Sequence, residues 1–145
     1  MRSLLDVNVL IALLDSDHPF NGKMHRWWTD ESPNGWASCP ITENGVIRIM
    51  SNPNYRAVHP LNPNQIVEKL DAFAATTDHE FWPDDLSLRD EKIFERSLLT
   101  NSQQITDKYL LALAIKRGGR LVTLDAGIKV AAVRQAGAAN LVIIR

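Results

Sequence analysis

The residues that most constrain this chain are its first fourteen. Ser3-Leu4-Leu5-Asp6-Val7-Asn8-Val9-Leu10-Ile11-Ala12-Leu13-Leu14 is an apolar run broken by one carboxylate and one amide, two residues apart. In a globular protein such a run is buried. Asp6 is then carried into a low-dielectric place, which is costly unless something pairs with it. The 145 residues, 45% of them apolar, suit one domain over 1–145 with a packed core. What compensates Asp6 must come from the rest of the chain.

Sixteen Lys and Arg stand against 17 Asp and Glu, a net charge of -1. There is no global basic signature of a nucleic-acid binder, although a local patch can do that work. The single cysteine, Cys39, excludes an internal disulfide and a cysteine zinc cluster. No apolar run approaches the roughly 18 residues that span a bilayer. The N-terminal run contains Asp6 and Asn8 and lacks a small-residue cleavage site, so it does not read as a signal peptide. A cytoplasmic protein with no membrane association is expected.

Taken in order, Ser3 to Asp6 reads as a buried strand and Asn8 to Leu14 as a helix ending near Asp15. Asp17-His18-Pro19 signals a second helix, running to about Asp30, with Phe20, Met24, Trp27 and Trp28 on one face. A turn at Glu31–Gly35 leads to a strand, Trp36 to Cys39, and Pro40 opens a helix to about Met50. Residues 51–64 hold four Asn and three Pro, a long loop of the kind that often carries function. Asn64 is expected to cap a helix to about Ala75. An extended segment follows at His79–Pro83, then a weakly patterned helical region at Ser87–Leu99. Thr106 or Asp107 opens an apolar helix that Gly118-Gly119 ends. Arg120–Leu124 reads as a strand, Asp125-Ala126-Gly127 as the turn into a last helix to about Gln135, and Leu141–Ile144 as the final strand. Strands alternating with helical segments predict an α/β protein with a mostly parallel sheet.

Ligands of such sheets bind beyond the carboxyl ends of the strands. Asp6 and Asp125 lie at two such ends. Glu43 heads the helical stripe Val46, Ile47, Met50, and Asp107 heads the stripe Leu110, Leu111, Ala114. Each acid has a local explanation taken singly. Asp107 can cap a helix, Asp125 can form a turn, and Glu43 can complement a helix dipole. Four together at one sheet edge call for a common cause. Two unit charges 4 Å apart repel by about 4 kcal/mol at an effective dielectric of 20. The cluster therefore implies raised pKa values or a bound cation. Oxygen ligands without Cys or His select a hard ion, Mg²⁺ or Mn²⁺. Asn8 and Thr123 can orient a carboxylate or a metal-bound water from the next layer out.

Leu4-Leu5-Asp6-Val7-Asn8-Val9-Leu10-Ile11, Thr42-Glu43-Asn44-Gly45, Thr106-Asp107-Lys108-Tyr109-Leu110 and Leu121-Val122-Thr123-Leu124-Asp125 resemble, in order, the four acidic motifs of the PIN domain. The resemblance is closest to the VapC toxins of bacterial type II toxin–antitoxin pairs, and it covers nearly the whole chain. Trp36 to Gly45 with Arg48-Ile49-Met50-Ser51-Asn52-Pro53 also resembles one VapC subgroup. The resemblance implies a three-layer α/β/α PIN-like fold with a five-stranded sheet. It implies a Mg²⁺-dependent endoribonuclease whose catalytic and metal-holding residues are Asp6, Glu43, Asp107 and Asp125. It further implies a homodimer and a cognate VapB-like antitoxin that covers the active site.

RNA affinity is dominated by phosphate contacts. The local cations placed to supply them are Arg48, one turn beyond Glu43, Lys108 beside Asp107, and Arg56 in the long loop. Tyr55 and His59 are candidates for base stacking or for loop anchoring. Trp27 and Trp28 suit a core, dimer or antitoxin surface. His18, His25 and His79 lack metal-ligand spacing and read as structural, and Cys39 as a small buried apolar residue. Two alternatives stand beside the toxin reading. One is a general PIN nuclease with no toxin role. The other is Mg²⁺-dependent phosphoryl transfer through an aspartyl intermediate. Haloacid-dehalogenase-like phosphatases need a second Asp two residues after the nucleophile, where this chain has Asn8.

Overall fold

The computed structural model describes residues 1–145. Five short strands form one sheet: β1 (Ser3–Leu5), β2 (Trp36–Ser38), β3 (His79–Phe81), β4 (Arg120–Thr123) and β5 (Leu141–Ile143). Their spatial order is β3-β2-β1-β4-β5, and every neighbouring pair is parallel. The helices are α1 (Val7–Leu14), α2 (Asn21–Glu31), α3 (Pro40–Met50), α4 (Pro63–Ala75) and α5 (Ile105–Lys116).

Strand alternation sorts side chains between two cores. Leu4, Ala37 and Leu121 pack with α5, Trp82, Phe94, Ile128 and Val133 on one face of the sheet. Their neighbours Leu5, Trp36 and Val122 pack with α1, α2, α3 and α4 on the other. The result is the expected three-layer arrangement around a sheet buried on both faces, as parallel sheets are. At Gly45 a Cβ would come within 2.7 Å of Val7, so α3 crosses α1 at a distance that only glycine permits. That approach brings the start of α3 beside the start of α1.

Several boundaries differ from expectation. α2 begins at Asn21, and Phe20 precedes it as a half-exposed residue. α4 is capped by Asn62 rather than Asn64. Pro63 takes the first helical position, and Asn62 and Gln65 exchange the reciprocal bonds of a capping box. The helical region expected at Ser87–Leu99 is irregular apart from a short 3₁₀ turn at Arg96–Leu98. The last helix, expected to run to Gln135, is absent. These two stretches hydrogen-bond to each other: Glu95 N–H donates to Ala132 O and Arg134 N–H to Ile93 O, around an antiparallel bridge of Phe94 with Val133. Ser87, Asp90 and Asp125 side chains also accept backbone N–H groups two residues on, a local competitor of helix.

The order of the strands positions the site. The chain lays β1, β2 and β3 outward in one direction, then returns to place β4 on the other flank of β1. In an open parallel sheet the crevice forms where that direction reverses. Here the reversal lies between β1 and β4, whose register pairs Leu5 with Val122. The next residues along are Asp6 and Thr123.

Candidate active site

Asp6 directly follows β1 and is the N-cap of α1, so capping does account for part of its placement. Its Oδ1 accepts the Val7 N–H at 2.8 Å. Its Oδ2 accepts the Thr123 hydroxyl at 2.7 Å. Thr123 Oγ1 in turn accepts Asn8 Nδ2 at 3.3 Å and the Asp125 N–H at 3.0 Å. Asn8 Oδ1 also accepts the Leu124 N–H at 3.1 Å. Asn8 therefore reaches Asp6 through Thr123, and both clamp the turn that carries Asp125.

Asp6 is 7% exposed. Burial pushes its carboxyl above the usual range, against the pull of its Thr123 and Val7 donors, and Asp125 adds to the rise. Asp107, third residue of α5, is half-buried. Its pKa is pushed up to about 6, by burial first and then by Asp6 and Asp125, while Lys108 opposes the rise. Asp125 thus lies close enough to Asp6, and both close enough to Asp107, to disfavour its charge. None of them is in an ion pair, although acids elsewhere pair with arginine or lysine: Asp78 and Glu80 with Arg2, Glu31 with Arg120, and Asp85 with Lys116 and Arg117.

Glu43 lies in the first turn of α3. Its Oε2 accepts the Ser38 hydroxyl at 2.5 Å, and Ser38 Oγ is 2.7 Å from His79 Nε2. The Glu43 charge is felt by His79, whose pKa burial nonetheless lowers. Asp6, Asp107 and Asp125 group together at the β1–β4 crevice, and Glu43 is held at the end of β2, the strand on the other flank of β1, at the same carboxyl edge of the sheet. No three acidic, histidine or cysteine side chains of the chain converge into a closed ligand cluster. The fit to a cation lies in the donor chemistry: oxygen atoms only, Asp6 buried, Asp107 half-buried and Asp125 exposed at the rim, none of them in an ion pair, which suits a hard divalent ion.

A groove of about 530 Å³ opens at this edge, lined among others by Asp6, Val7, Ile41, Arg48, Asp84 and Thr106. Arg48 is exposed there and enters no ion pair. The other two candidate RNA contacts are placed differently. Lys108 is only 6% exposed. Arg56 bonds Asp15 at 2.9 Å and Asp17 at 3.3 Å, at the opposite end of α1 from Asp6. Tyr55 anchors the same loop by donating to Asp15 at 2.5 Å.

The sequence is matched by known proteins. The family model described as PIN domain matches residues 3–134. The chain belongs to the PIN-domain family. Its relatives include Ribonuclease VapC44 of Mycobacterium tuberculosis, 45% identical over 133 residues that cover 92% of each chain. Ribonuclease VapC39 of the same organism is 44% identical over 88% of this chain and 91% of its own. Ribonuclease VapC38 is 39% identical over 87% and 86%.

Within this PIN domain, three placements were not legible from the sequence. Ser38 reads as a strand residue and His79 as a structural histidine, and their meeting with Glu43 depends on the pairing of β2 with β3. The groove residue Asp84 lies in an irregular segment with no motif. His18 and His25 are structural: His18 Nδ1 accepts the Phe20 N–H, and His25 Nε2 lies 3.0 Å from Leu13 O. Cys39 is buried. Trp27 and Trp28 are half-buried against the α1–α4 core, with Trp28 5.4 Å from the Phe73 ring.

Proposed function

We propose that this protein is a divalent-metal-dependent endoribonuclease, the toxin of a VapBC-type pair, with Mg²⁺ or Mn²⁺ as its cofactor. The observation that carries the reading is the crowding of Asp6, Asp107 and Asp125, none of them in an ion pair, at the β1–β4 crevice of a PIN domain. The ribonuclease names of its VapC relatives support the same activity.

Asp6, Asp107 and Asp125, with Glu43 through Oε1, are the residues that would hold the ion. The chemistry such an ion would supply there is activation of water toward a phosphodiester and neutralisation of charge on the leaving oxygen. The chain's own contribution is to fix the acids. Thr123 holds Asp6 in one orientation, and Asn8 holds Thr123 and the Leu124 backbone. Arg48 supplies positive charge on the groove wall for an RNA phosphate. Both Asp6 oxygens already accept hydrogen bonds, which suits a held ligand better than the free nucleophile an aspartyl-phosphate route needs.

The partners on this reading are RNA, a VapB-like antitoxin and a second copy of the chain, and one domain over 1–145 carries the activity. No helix is long and apolar enough to cross a membrane, which agrees with a cytoplasmic site of action. Purified protein incubated with cellular RNA and Mg²⁺ should yield discrete fragments. EDTA should stop cleavage, as should Asp125→Asn in a protein with unchanged circular dichroism. Intact RNA with wild-type protein at millimolar Mg²⁺, or cleavage undiminished by EDTA, would overturn the proposal.

A further inference from the structure

Ser38 and His79 have no part in the reading above, yet they converge on one of its four acids. We infer that Ser38 and His79 are positioning residues, a hydroxyl and an imidazole in series that set the orientation of Glu43 toward the metal-binding edge. The inference rests on the metal role proposed for Glu43.

The chain of contacts crosses three elements. Ser38 is the last residue of β2 and is fully buried. His79 is the first residue of β3, opposite Trp36 in the register of the β2–β3 pair. Trp36 and Ser38 point to the same face of the sheet because they are two residues apart. On that face the His79 ring lies 4.3 Å from the fully buried Trp36 ring, and the Trp36 indole N–H is held by Thr77 Oγ1 at 2.7 Å. His79 is thereby fixed in place. Its Nε2 lies 2.7 Å from Ser38 Oγ, and Ser38 Oγ lies 2.5 Å from Glu43 Oε2.

Hydrogen accounting gives the chain a direction. A serine hydroxyl has one hydrogen to donate, and an ionised carboxylate can only accept. The Ser38 hydrogen goes to Glu43 Oε2. The Ser38 oxygen then accepts from His79, which must carry its hydrogen on Nε2. Each group has one role, and all of them end on Glu43. A glutamate has three rotatable side-chain bonds, so a free one samples many orientations. Here Oε2 is held from the rigid strand end, and Oε1 accepts no hydrogen bond and remains for a ligand. Ligating carboxylates are oriented in this way by neighbours in the next layer, whose loss typically weakens metal affinity 10–100-fold.

Calorimetric titration with Mn²⁺ tests the inference apart from any activity. Ser38→Ala should weaken Mn²⁺ binding about tenfold, at the lower end of that range. His79→Phe, which retains a ring against Trp36 but no N–H, should weaken it to a smaller extent. A double-mutant cycle decides whether the effect passes through Glu43. In a Glu43→Gln background, Ser38→Ala should cause no further loss. Equal Mn²⁺ affinity of wild type and Ser38→Ala would overturn the inference. So would a tenfold loss that persists in the Glu43→Gln background. If wild-type protein itself fails to bind Mn²⁺, the metal reading falls and this inference falls with it, an outcome distinct from the first two.

Discussion

Helix α1 has a buried aspartate at each end, and the two are treated in opposite ways. Asp6 caps its start and Asp15 its end, about 13.5 Å apart at 1.5 Å per residue. Each is 7% exposed. Burial would raise the carboxyl pKa of Asp15, but the Tyr55 hydroxyl, the Asp17 N–H and the Arg56 guanidinium outweigh it and hold it below the usual range. Asp6 meets only neutral donors and a second carboxylate, and its pKa rises. The helix dipole runs the other way, favouring a negative charge at the start of α1 and disfavouring one at its end, by roughly 0.3–1 kcal/mol. The surroundings override it at both ends. Asp15 is therefore a charge that the chain compensates for itself, in order to fasten the 51–62 loop. Asp6 is a charge that the chain leaves uncompensated, and on the proposed function that asymmetry separates the metal-holding end of the helix from the structural one.

The largest test of this contrast is catalytic. Asp6→Asn should lower RNA cleavage by more than about a hundredfold, beyond what loss of an outer-layer group around a metal costs. Asp15→Asn should leave the rate per folded molecule near that of wild type. Comparable loss in a well-folded Asp15→Asn protein would erase the distinction. The stabilities should rank in the reverse order. Asp15→Ala strands Arg56 and Tyr55, and since Arg56 is only partly buried the cost should be about 2 kcal/mol, below the range for a fully buried pair. For a chain of this size that lowers Tm by about 4–8 °C. Asp6→Asn, melted in EDTA, should match or exceed wild type, because it removes a desolvated charge.

How far the sequence exposes these features depends on the range of the interactions. Alternation within Leu4-Leu5, Trp36-Ala37 and Leu121-Val122 reports the two-faced burial of the sheet, because it is a property of adjacent residues. Pro40 marks the start of α3 for the same reason. Pro63 and Gln65 carry enough local information to place the cap of α4 at Asn62, because proline suits the first helical position and Gln65 the third. The stretches at 87–99 and 126–135 look helical because their composition is; their backbone groups bond to each other across the fold, and no local pattern announces that. The site divides similarly. Asp6, Asn8, Thr123 and Asp125 sit in two short motifs that adjacent parallel strands must bring together. Arg56 reads as a free loop cation until Asp15, 41 residues away, is seen beside it. The Ser38–His79 contact likewise spans 41 residues.

Metal addition sharpens the contrast at smaller scale. With Mg²⁺ at ten times its dissociation constant, binding to the folded state adds about 1.4 kcal/mol. Tm should rise by about 3–6 °C at that concentration. The rise should persist in Asp15→Asn and vanish in Asp6→Asn. A Mg²⁺ shift of equal size in all three proteins would place the ion elsewhere and separate Asp6 from metal binding.

The smallest expected effect is in pH, and its sign differs between the two regions. In EDTA the pKa of Asp107 stands at about 6, above an unfolded value near 4. The folded state then binds the proton more tightly than the unfolded one, so ionisation of Asp107 costs stability above pH 6, and the cost fades as pH falls from 6 toward 4. Asp107→Asn should therefore melt above wild type at pH 7 by about 3 °C, corresponding to about 1 kcal/mol for a half-buried group. The gap should close by pH 4. Asp15 is the opposite case. Its lowered pKa contributes stability at and above the ordinary carboxylate range, and that contribution disappears only as pH drops below it. Asp15→Asn should thus melt below wild type at pH 7, with a deficit that is still present at pH 5 and shrinks at the acid extreme. Melting curves of the three proteins in EDTA between pH 3 and 7 read both trends at once. If the Asp107→Asn gap were constant across that range, Asp107 would not be held above its unfolded pKa, and neither burial nor the neighbouring acids would be acting on it.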